Sequence, residues 1–427
     1  MSVRRIVSLL AIGATVVSFP ACAQLTPLGT ELPISPTTDK NRQLWPAVGS
    51  SAAGTRLAWE DDNQGIVSSV VKKPELGVGA PAVLAANDPL PKLPFTGTLH
   101  EQHQPALAVQ SDGSFLLVWT ETTLNRNVAY AYIDERTPIS SRVVGRRFAA
   151  DGQPQGELFE IAGGKGFPAR PAIAVGGDTW VAWEESDGAG AGVHFRSLDA
   201  KGHLGKDVIA GAGGTNAAIA ASDKSVLVAW NHGDQQQMSL SVRLFTTSGS
   251  PLGAAIKVGS GTMSTGIPAA AAGRSGDFLL AWQGGPDGTF SDSHVYAQLL
   301  RQQGSSAALV GTPQVISTGD GNRHLTPAVA ALADGTWLAG WVAWKGFVPV
   351  AVDLATLDAA GAVAGKPVRL NDRRPLEVGT IAVAAQPGQV WASWVSAGPD
   401  GHSRIRARAA STEPGGSTPA QSPAPAH

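Results

Sequence analysis

One short pattern occurs seven times along this chain and restricts its fold more than any other feature. Residues 105–121, PALAVQSDGSFLLVWTE, consist of an apolar run, a polar turn and a second apolar run that ends in Trp119. The pattern recurs in residues 46–61, 171–185, 217–232, 268–283, 327–341 and 381–395. The terminal tryptophans, spaced by 60, 64, 47, 52, 59 and 53 residues, are Trp59, Trp119, Trp183, Trp230, Trp282, Trp341 and Trp394. Intervals of this size are typical of the blades of a β-propeller.

Each copy predicts two strands joined by a tight turn, because Asp112-Gly113 and Asp334-Gly335 are hairpin signals. Both alternating faces of residues 115–119, FLLVW, are apolar, which predicts a strand packed between neighbouring sheets. A third strand, a glycine turn and a fourth strand are predicted after a variable stretch, in residues 142–162, 192–211, 240–259, 294–318 and 350–371. Four strands per repeat make one propeller blade.

The seventh copy lacks its fourth strand, since its last predicted strand, residues 403–409, runs into the C-terminal tail. The missing strand is predicted at the other end of the chain. Residues 27–35, PLGTELPIS, resemble the outer strands predicted in residues 154–162 and 251–259. We therefore expect an all-β, seven-bladed propeller of four-stranded blades, in which the N-terminal strand completes the last blade and leaves no open edge between the first and last blades.

The blade pattern of P-A-[VIL]-A, then D-G, then a hydrophobic run to Trp resembles that of secreted bacterial β-propeller repeat proteins. The architecture is also loosely sialidase-like, but the chain lacks the sialidase Asp-box, Ser-x-Asp-x-Gly-x-x-Trp. The resemblance covers nearly the whole chain after residue 23. It implies a fold and no particular activity, because propellers of this broad group carry unrelated functions.

The first 23 residues predict a secretory signal, with Arg4 and Arg5 before an apolar stretch and a small-residue Ala21-Cys22-Ala23 end. Cleavage after Ala23 would remove the only cysteine. In the alternative, Cys22 is the lipidated first residue of an envelope lipoprotein, although the residues before it fit the lipoprotein pattern poorly, and soluble export is favoured. Residues 24–410 would form the propeller, and residues 411–427, rich in Pro, Ala, Ser and Gly, are predicted to be disordered.

The composition favours a fold with many tight turns. It also argues against a nucleic-acid partner. Charged residues make up 15% of the chain, against about a quarter in average proteins, and it contains 51 glycines and 29 prolines. A formal net charge of -2 offers no basic field for nucleic acid. After the signal, no apolar run reaches the roughly 18 residues that a membrane span needs. No cofactor is predicted.

In a propeller the loops before the first strand and between the second and third strands share one face, and here they vary most in length, so a binding site is expected on this face. Two of these loops belong to the second blade. His100, Glu101 and His103 can be interpreted as a metal or acid-base site, but solvated loop residues are favoured and no metal is predicted. Tyr130 and Tyr132 suggest a platform for a sugar ring, although an additional packed strand is the favoured interpretation.

Three carboxylates, Glu60, Glu121 and Glu184, follow terminal tryptophans in the first three blades. They are weak candidates for the acid and nucleophile or base of a glycoside hydrolase, which requires two carboxyl groups roughly 5 to 10 Å apart. The favoured interpretation is that these three residues are polar because each buried strand ends at solvent there.

Basic residues precede the shared Pro-Ala position in three blades: Arg42, Arg170 and Arg323, with His324 beside the last. Arginines that converged on the ring axis would suit a carboxylate ligand. The chain lacks a Gly-x-Ser-x-Gly nucleophile motif and a phosphate-binding glycine loop.

These patterns favour a non-catalytic binding or scaffold propeller outside the cytoplasm, either extracellular or periplasmic, with a glycan or protein partner. The alternatives are a glycoside hydrolase or lyase that uses an acidic mouth, and a lipoprotein subunit of a surface complex at the outer membrane.

Overall fold

A computed structural model describes residues 24–36, 41–73, 77–89, 94–130, 133–164, 166–188, 190–233, 238–259, 264–274, 276–285, 292–317, 320–375, 380–398 and 400–413. Within these ranges the regular structure consists of strands and contains no helix, as the sequence predicts. No helix of sufficient length and hydrophobicity to cross a membrane occurs in these ranges.

The strands form seven antiparallel sheets of four strands each, which are the blades of the predicted propeller. In chain order they are β1 (Thr26–Pro33), β2 (Gln43–Ser51), β3 (Gly54–Asp61), β4 (Gly65–Val71), β5 (Ala82–Ala86), β6 (Phe95–Val109), β7 (Phe115–Tyr130), β8 (Ile133–Phe148), β9 (Pro154–Ala162), β10 (Pro168–Gly176), β11 (Asp178–Glu185), β12 (Gly192–Leu198), β13 (Val208–Ala212), β14 (Thr215–Ala221), β15 (Ser225–His232), β16 (Ser239–Thr246), β17 (Pro251–Val258), β18 (Ser264–Ala272), β19 (Phe278–Gly285), β20 (His294–Gln303), β21 (Ser306–Val315), β22 (Arg323–Ala331), β23 (Trp337–Lys345), β24 (Val348–Leu357), β25 (Val368–Arg369), β26 (Ala382–Gln386), β27 (Gln389–Ala397) and β28 (Ser403–Ser411).

Blades 1 to 6 each use four consecutive strands, from β2–β5 to β22–β25. Blade 7 has the order β26, β27, β28, β1, so the N-terminal strand is its outer strand, as predicted. The register between β1 and β28 runs from Thr26 opposite Ser411 to Pro33 opposite Arg406. The ring is therefore closed by backbone hydrogen bonds between the two ends of the propeller.

The hydrophobic core lies between neighbouring blades. Leu57 and Trp59 of blade 1 form one buried cluster with Trp391 and Val395 of blade 7, and Ile34, which follows the closing strand, joins them. Similar clusters lie between the other blades. All seven terminal tryptophans are at most 3% exposed. Both faces of these sheets are buried because each packs against two neighbours, which explains why the second strands are apolar at successive positions.

Blade 2 is longer than the others because β7 and β8 have 16 residues each and β6 has 15. Their added length continues the sheet beyond the other blades, on the face where the first strands begin. Leu99, Leu124 and Val128 are buried in this extension, whereas Thr96 and Asn127 form an exposed cross-strand hydrogen bond of 3.0 Å. The blade is thus a protruding wall beside the centre of that face.

Candidate functional site

A cavity of about 480 Å³ is lined by residues in or just before the first strand of every blade. Each blade contributes the residue that precedes its Pro-Ala position or the equivalent of that position. Since all blades contribute equally, the cavity lies on the ring axis, and we call it the axial pocket. These seven residues are Trp45, Gln104, Arg170, Asn216, Ile267, Thr326 and Thr380.

Five of the seven residues have left-handed backbone conformations. Their φ angles are 51° to 53°, although none is glycine; they are Trp45, Gln104, Arg170, Asn216 and Thr326. The register between the first and second strands also shifts at these positions, for example between Leu44 and Ala47. A non-glycine residue costs of order 1–3 kcal/mol in this conformation, and such residues occur often at ligand sites. Each shift is a bulge that directs one side chain towards the axis.

A hydrogen bond from the preceding blade stabilises four of these strained residues. The Gln104 N–H donates to Glu60 Oε2 at 3.0 Å, and the Asn216 N–H donates to Glu184 Oε1 at 2.9 Å. The other two residues make equivalent contacts. The Arg170 N–H donates to Thr120 Oγ1 at 3.1 Å and to Gln104 Oε1 at 3.2 Å. The Thr326 N–H donates to Gln283 Oε1 at 3.0 Å. The acceptors Glu60, Thr120, Glu184 and Gln283 each follow a terminal tryptophan.

The structure separates the three candidate carboxylates. Glu60 and Glu184 bind backbone N–H groups of the next blade, and only Glu184 of the three lines the axial pocket. Burial raises the pKa of the Glu184 carboxyl, because the opposing effect of Arg170 is smaller. Glu121 lies one position further along its strand and accepts a hydrogen bond of 2.6 Å from Arg142 Nε. The three carboxylates therefore do not face one common space.

We expect Glu60→Ala to reduce the free energy of unfolding by about 1–3 kcal/mol, because it leaves the Gln104 N–H without its acceptor. Glu121→Ala should cost less, about 0.2–1 kcal/mol, since the Arg142 side chain of its ion pair is 40% exposed. Urea unfolding measures both values. Glu60→Gln, which keeps a side-chain oxygen, is the matched control and should recover most of the loss. Equal losses for the two alanine variants would contradict the proposed role of Glu60.

The structure divides the His100, Glu101 and His103 motif between two environments. His103 Nδ1 lies 3.1 Å from Glu60 Oε1, and His103 Nε2 lies 3.7 Å from Glu101 Oε2. Burial lowers the pKa of His103, but the hydrogen bond to Glu60 and the charges of Glu60 and Glu101 outweigh burial, so the pKa lies above its usual value. His100 instead contacts Asp88, with 2.8 Å between Nδ1 and Oδ2, and is exposed.

Glu101 is buried and connects this motif to the blade 2 extension through Arg126 Nη1 at 3.3 Å and Arg136 Nη1 at 3.2 Å. A continuous polar network therefore runs from the extension through Glu101, His103 and Glu60 to the wall of the axial pocket. In the part of the chain that the structure describes, no group of three or more His, Cys, Asp or Glu side chains is arranged to hold a metal ion.

Of the three candidate arginines, Arg170 lines the axial pocket, and Arg42 and Arg323 do not. The latter two precede the pocket positions of their blades by three residues. His324 is fully buried, with its ring 5.9 Å from that of His294 and 6.3 Å from that of Trp341. Burial lowers the pKa of His324, and the opposing effect of Asp320, whose Oδ1 lies 3.3 Å from His324 Nε2, is smaller. His324 is therefore a core residue and does not face the axial pocket.

The remaining candidates are Tyr130, Tyr132 and Cys22. Tyr130 is the last residue of β7, and the structure does not describe its side chain; Tyr132 and Cys22 lie outside the described residues. Of the seven residues that precede the Pro-Ala positions, the sequence interpretation named Arg170 and missed Trp45, Gln104, Asn216, Ile267, Thr326 and Thr380. Their alignment in every repeat was the signal that could have identified them.

No family model matches the sequence, and no curated protein matches it. Several solved structures share its fold. A protein of unknown function from Dyadobacter fermentans aligns over 92% of this chain and 100% of its own, with 12% identity and a TM-score of 0.51. An ulvan lyase of polysaccharide lyase family PL25, bound to -[GlcA(1-4)Rha3S]-, aligns over 92% and 96%, with 9% identity and a TM-score of 0.51. A fungal alcohol oxidase of the AA5 family, in complex with copper, aligns over 91% and 76%, with 13% identity and a TM-score of 0.53. At these identities the similarity concerns the fold alone.

Proposed function

We propose that this protein is an exported, non-catalytic propeller that binds a glycan in the axial pocket. The observation that carries the proposal is the composition of the pocket wall, where Trp45 faces a set of polar side chains that includes Gln104, Arg170 and Asn216. An aromatic ring can stack on the apolar face of a sugar, and a few fixed polar groups can bind its hydroxyl groups. The ulvan lyase with its bound saccharide is an example of a related fold that accommodates a glycan, which is support by analogy.

The positions of the carboxylates favour binding over hydrolysis. Hydrolysis by the usual mechanism needs two carboxyl groups on opposite sides of one glycosidic bond. Glu184 is the one carboxylate that lines the pocket among the described residues, while Glu60 and Glu121 have structural partners.

A hydrolase or lyase is the second candidate, and Glu184 favours it, since burial raises the pKa of its carboxyl, the direction of shift that a general acid requires. Export follows from the predicted signal in residues 1–23. Lipidation of Cys22 is the alternative form of export, and the mass of the mature N-terminus would distinguish the two.

The test is calorimetric titration of residues 24–427 with neutral and acidic oligosaccharides. We expect Trp45→Ala to weaken binding by about tenfold or more, as loss of a stacking platform would. Phe347, 84% exposed in the β23–β24 turn on the same face, provides the control, and Phe347→Ala should leave the dissociation constant unchanged.

Two results would contradict this function. Binding that is insensitive to Trp45→Ala would place the site outside the axial pocket. Release of new reducing ends or unsaturated products by the unmodified protein, lost in Glu184→Gln, would favour the enzyme.

A further inference from the structure

We propose that the axial pocket selects an anionic sugar, whose carboxylate or sulfate group binds Arg170 and Gln104 while its apolar face contacts Trp45. This inference rests on the proposed function, because it assumes that the pocket binds a glycan. It adds the chemical class of the ligand and its orientation in the ring.

The two halves of the pocket wall differ in polarity. Going around the ring, blades 2, 3 and 4 contribute Gln104, Arg170 and Asn216, which carry amide or guanidinium groups. Blade 5 contributes Ile267, blades 6 and 7 contribute Thr326 and Thr380 together with Ile381, and Trp45 of blade 1 completes this half. Besides the Trp45 indole, its polar side-chain groups are two uncharged hydroxyls, so it is the less polar half. A ligand that fits both halves has a polar or charged edge and an apolar face, as a charged sugar ring does.

The polar half has more free hydrogen-bond donors than acceptors. Glu184 Oε1 already accepts from the Asn216 N–H, and Gln104 Oε1 accepts from the Arg170 N–H. Because its oxygen is occupied, the Gln104 side chain has two N–H donors left on Nε2, which bond to no described residue. A group rich in acceptors, such as a carboxylate or a sulfate, complements this arrangement.

Arg170 supplies the charge in this wall. Its Nη1 lies 3.9 Å from Glu184 Oε2, which is too far for a hydrogen bond, and within the described ranges its guanidinium donates none. The Arg170 side chain is 51% exposed, whereas that of Glu184 is 14% exposed, so a ligand in the pocket meets the cation before the carboxylate. Its backbone N–H donates to Gln104 Oε1 and to Thr120 Oγ1, and these contacts stabilise the left-handed conformation that places Arg170 in the pocket wall.

Glu184 should make the affinity for an anionic sugar depend on pH, because its carboxyl lies next to Arg170. Burial raises the pKa of this carboxyl. As the pH falls, protonation removes the negative charge next to Arg170, so the affinity for an anionic sugar should rise. A sulfated sugar keeps its own charge over this range and is therefore the suitable probe.

The experiment compares three oligosaccharides of equal length, one with uronate residues, one with sulfate esters and one neutral, by calorimetry at low and high salt. We expect one or both anionic sugars to bind better than the neutral one, and more weakly at high salt. Arg170→Gln should weaken anionic binding by at least tenfold without changing neutral binding. Arg42→Gln, which removes the same charge on the same face but outside the pocket, should have no effect.

Each outcome decides the inference. Selective binding of the uronate or of the sulfate identifies the charged group. Equal binding of all three sugars, unchanged in Arg170→Gln, would overturn the anionic class but leave the glycan-binding proposal intact if Trp45→Ala still weakened that binding. Binding of none of them would remove both proposals. The melting temperature of Arg170→Gln serves as the folding control, and Arg170→Lys, which keeps the charge, should recover part of the affinity.

Discussion

A protein that lacks residues 24–36 should lose most of its stability. These residues form the outer strand of blade 7, so their deletion opens the ring and exposes the free edge of β28. The deletion also removes two buried apolar side chains, Leu25 and Ile34. Each costs about 2–5 kcal/mol when truncated, and together they approach the roughly 5–15 kcal/mol that stabilises a typical domain.

The position of these two side chains explains why the effect should exceed the loss of one edge strand. Leu25 packs in the cluster between blades 6 and 7, and Ile34 packs in the cluster between blades 7 and 1. Between them, Glu31 lies 3.4 Å from Arg406 Nε and accepts the N–H groups of Asp372 and Arg373. The strand thus stabilises both interfaces of the last blade.

A circular permutant provides the control for this deletion. Thr26 lies opposite Ser411, so a short turn can connect residue 411 to residue 26 as a hairpin, with a new N-terminus near residue 41. Urea unfolding should show that the permutant regains the stability that the deletion loses. A deletion variant as stable as the complete propeller would contradict the closure.

The repeats predicted the blades because the spacing of the tryptophans and the apolar second strands reflect packing that every blade shares. The displaced fourth strand was predicted for the same reason, since residues 27–35 match the outer strands of other blades. Strand lengths were not predictable: blade 2 extends β7 to Tyr130, and the fourth strand of blade 6 has two residues, Val368–Arg369. Strand lengths depend on how neighbouring segments pair, and the local sequence pattern of one segment does not contain that information.

The axial pocket was harder to predict than the blades. A residue before proline usually adopts an extended conformation, yet Trp45, Gln104 and Arg170 are left-handed there. For Gln104 and Arg170 this conformation depends on acceptors in the neighbouring blade, such as Thr120, and no rule of local sequence includes that contact. Side chains alternate between the two faces of a strand, and Glu121 lies one position further along its strand than Glu60 and Glu184 do along theirs. This alternation could have predicted that Glu121 points to the opposite face of its blade.

Replacing one buried tryptophan should have the second large effect. Trp282 is 0% exposed, packs in the cluster between blades 4 and 5 and stacks on Tyr296 with 5.9 Å between ring centroids. Trp282→Ala should lower the free energy of unfolding by about 3–5 kcal/mol. Trp45→Ala should cost much less, because Trp45 is only half-buried and lines the axial pocket. Urea unfolding of the two variants separates the tryptophans of the core from the one proposed to bind the ligand.

Two phenylalanine variants then separate packing from hydrogen bonding. The Trp282 Nε1 has no hydrogen-bond partner among the described residues, so Trp282→Phe loses volume and no hydrogen bond. Trp119 Nε1 donates to Gln102 Oε1 at 2.6 Å, so Trp119→Phe leaves a buried oxygen without its donor and should cost about 1–3 kcal/mol more than Trp282→Phe. If the two variants lost the same stability, the Trp119 hydrogen bond would contribute nothing, and the repeated tryptophan would stabilise the ring through packing alone.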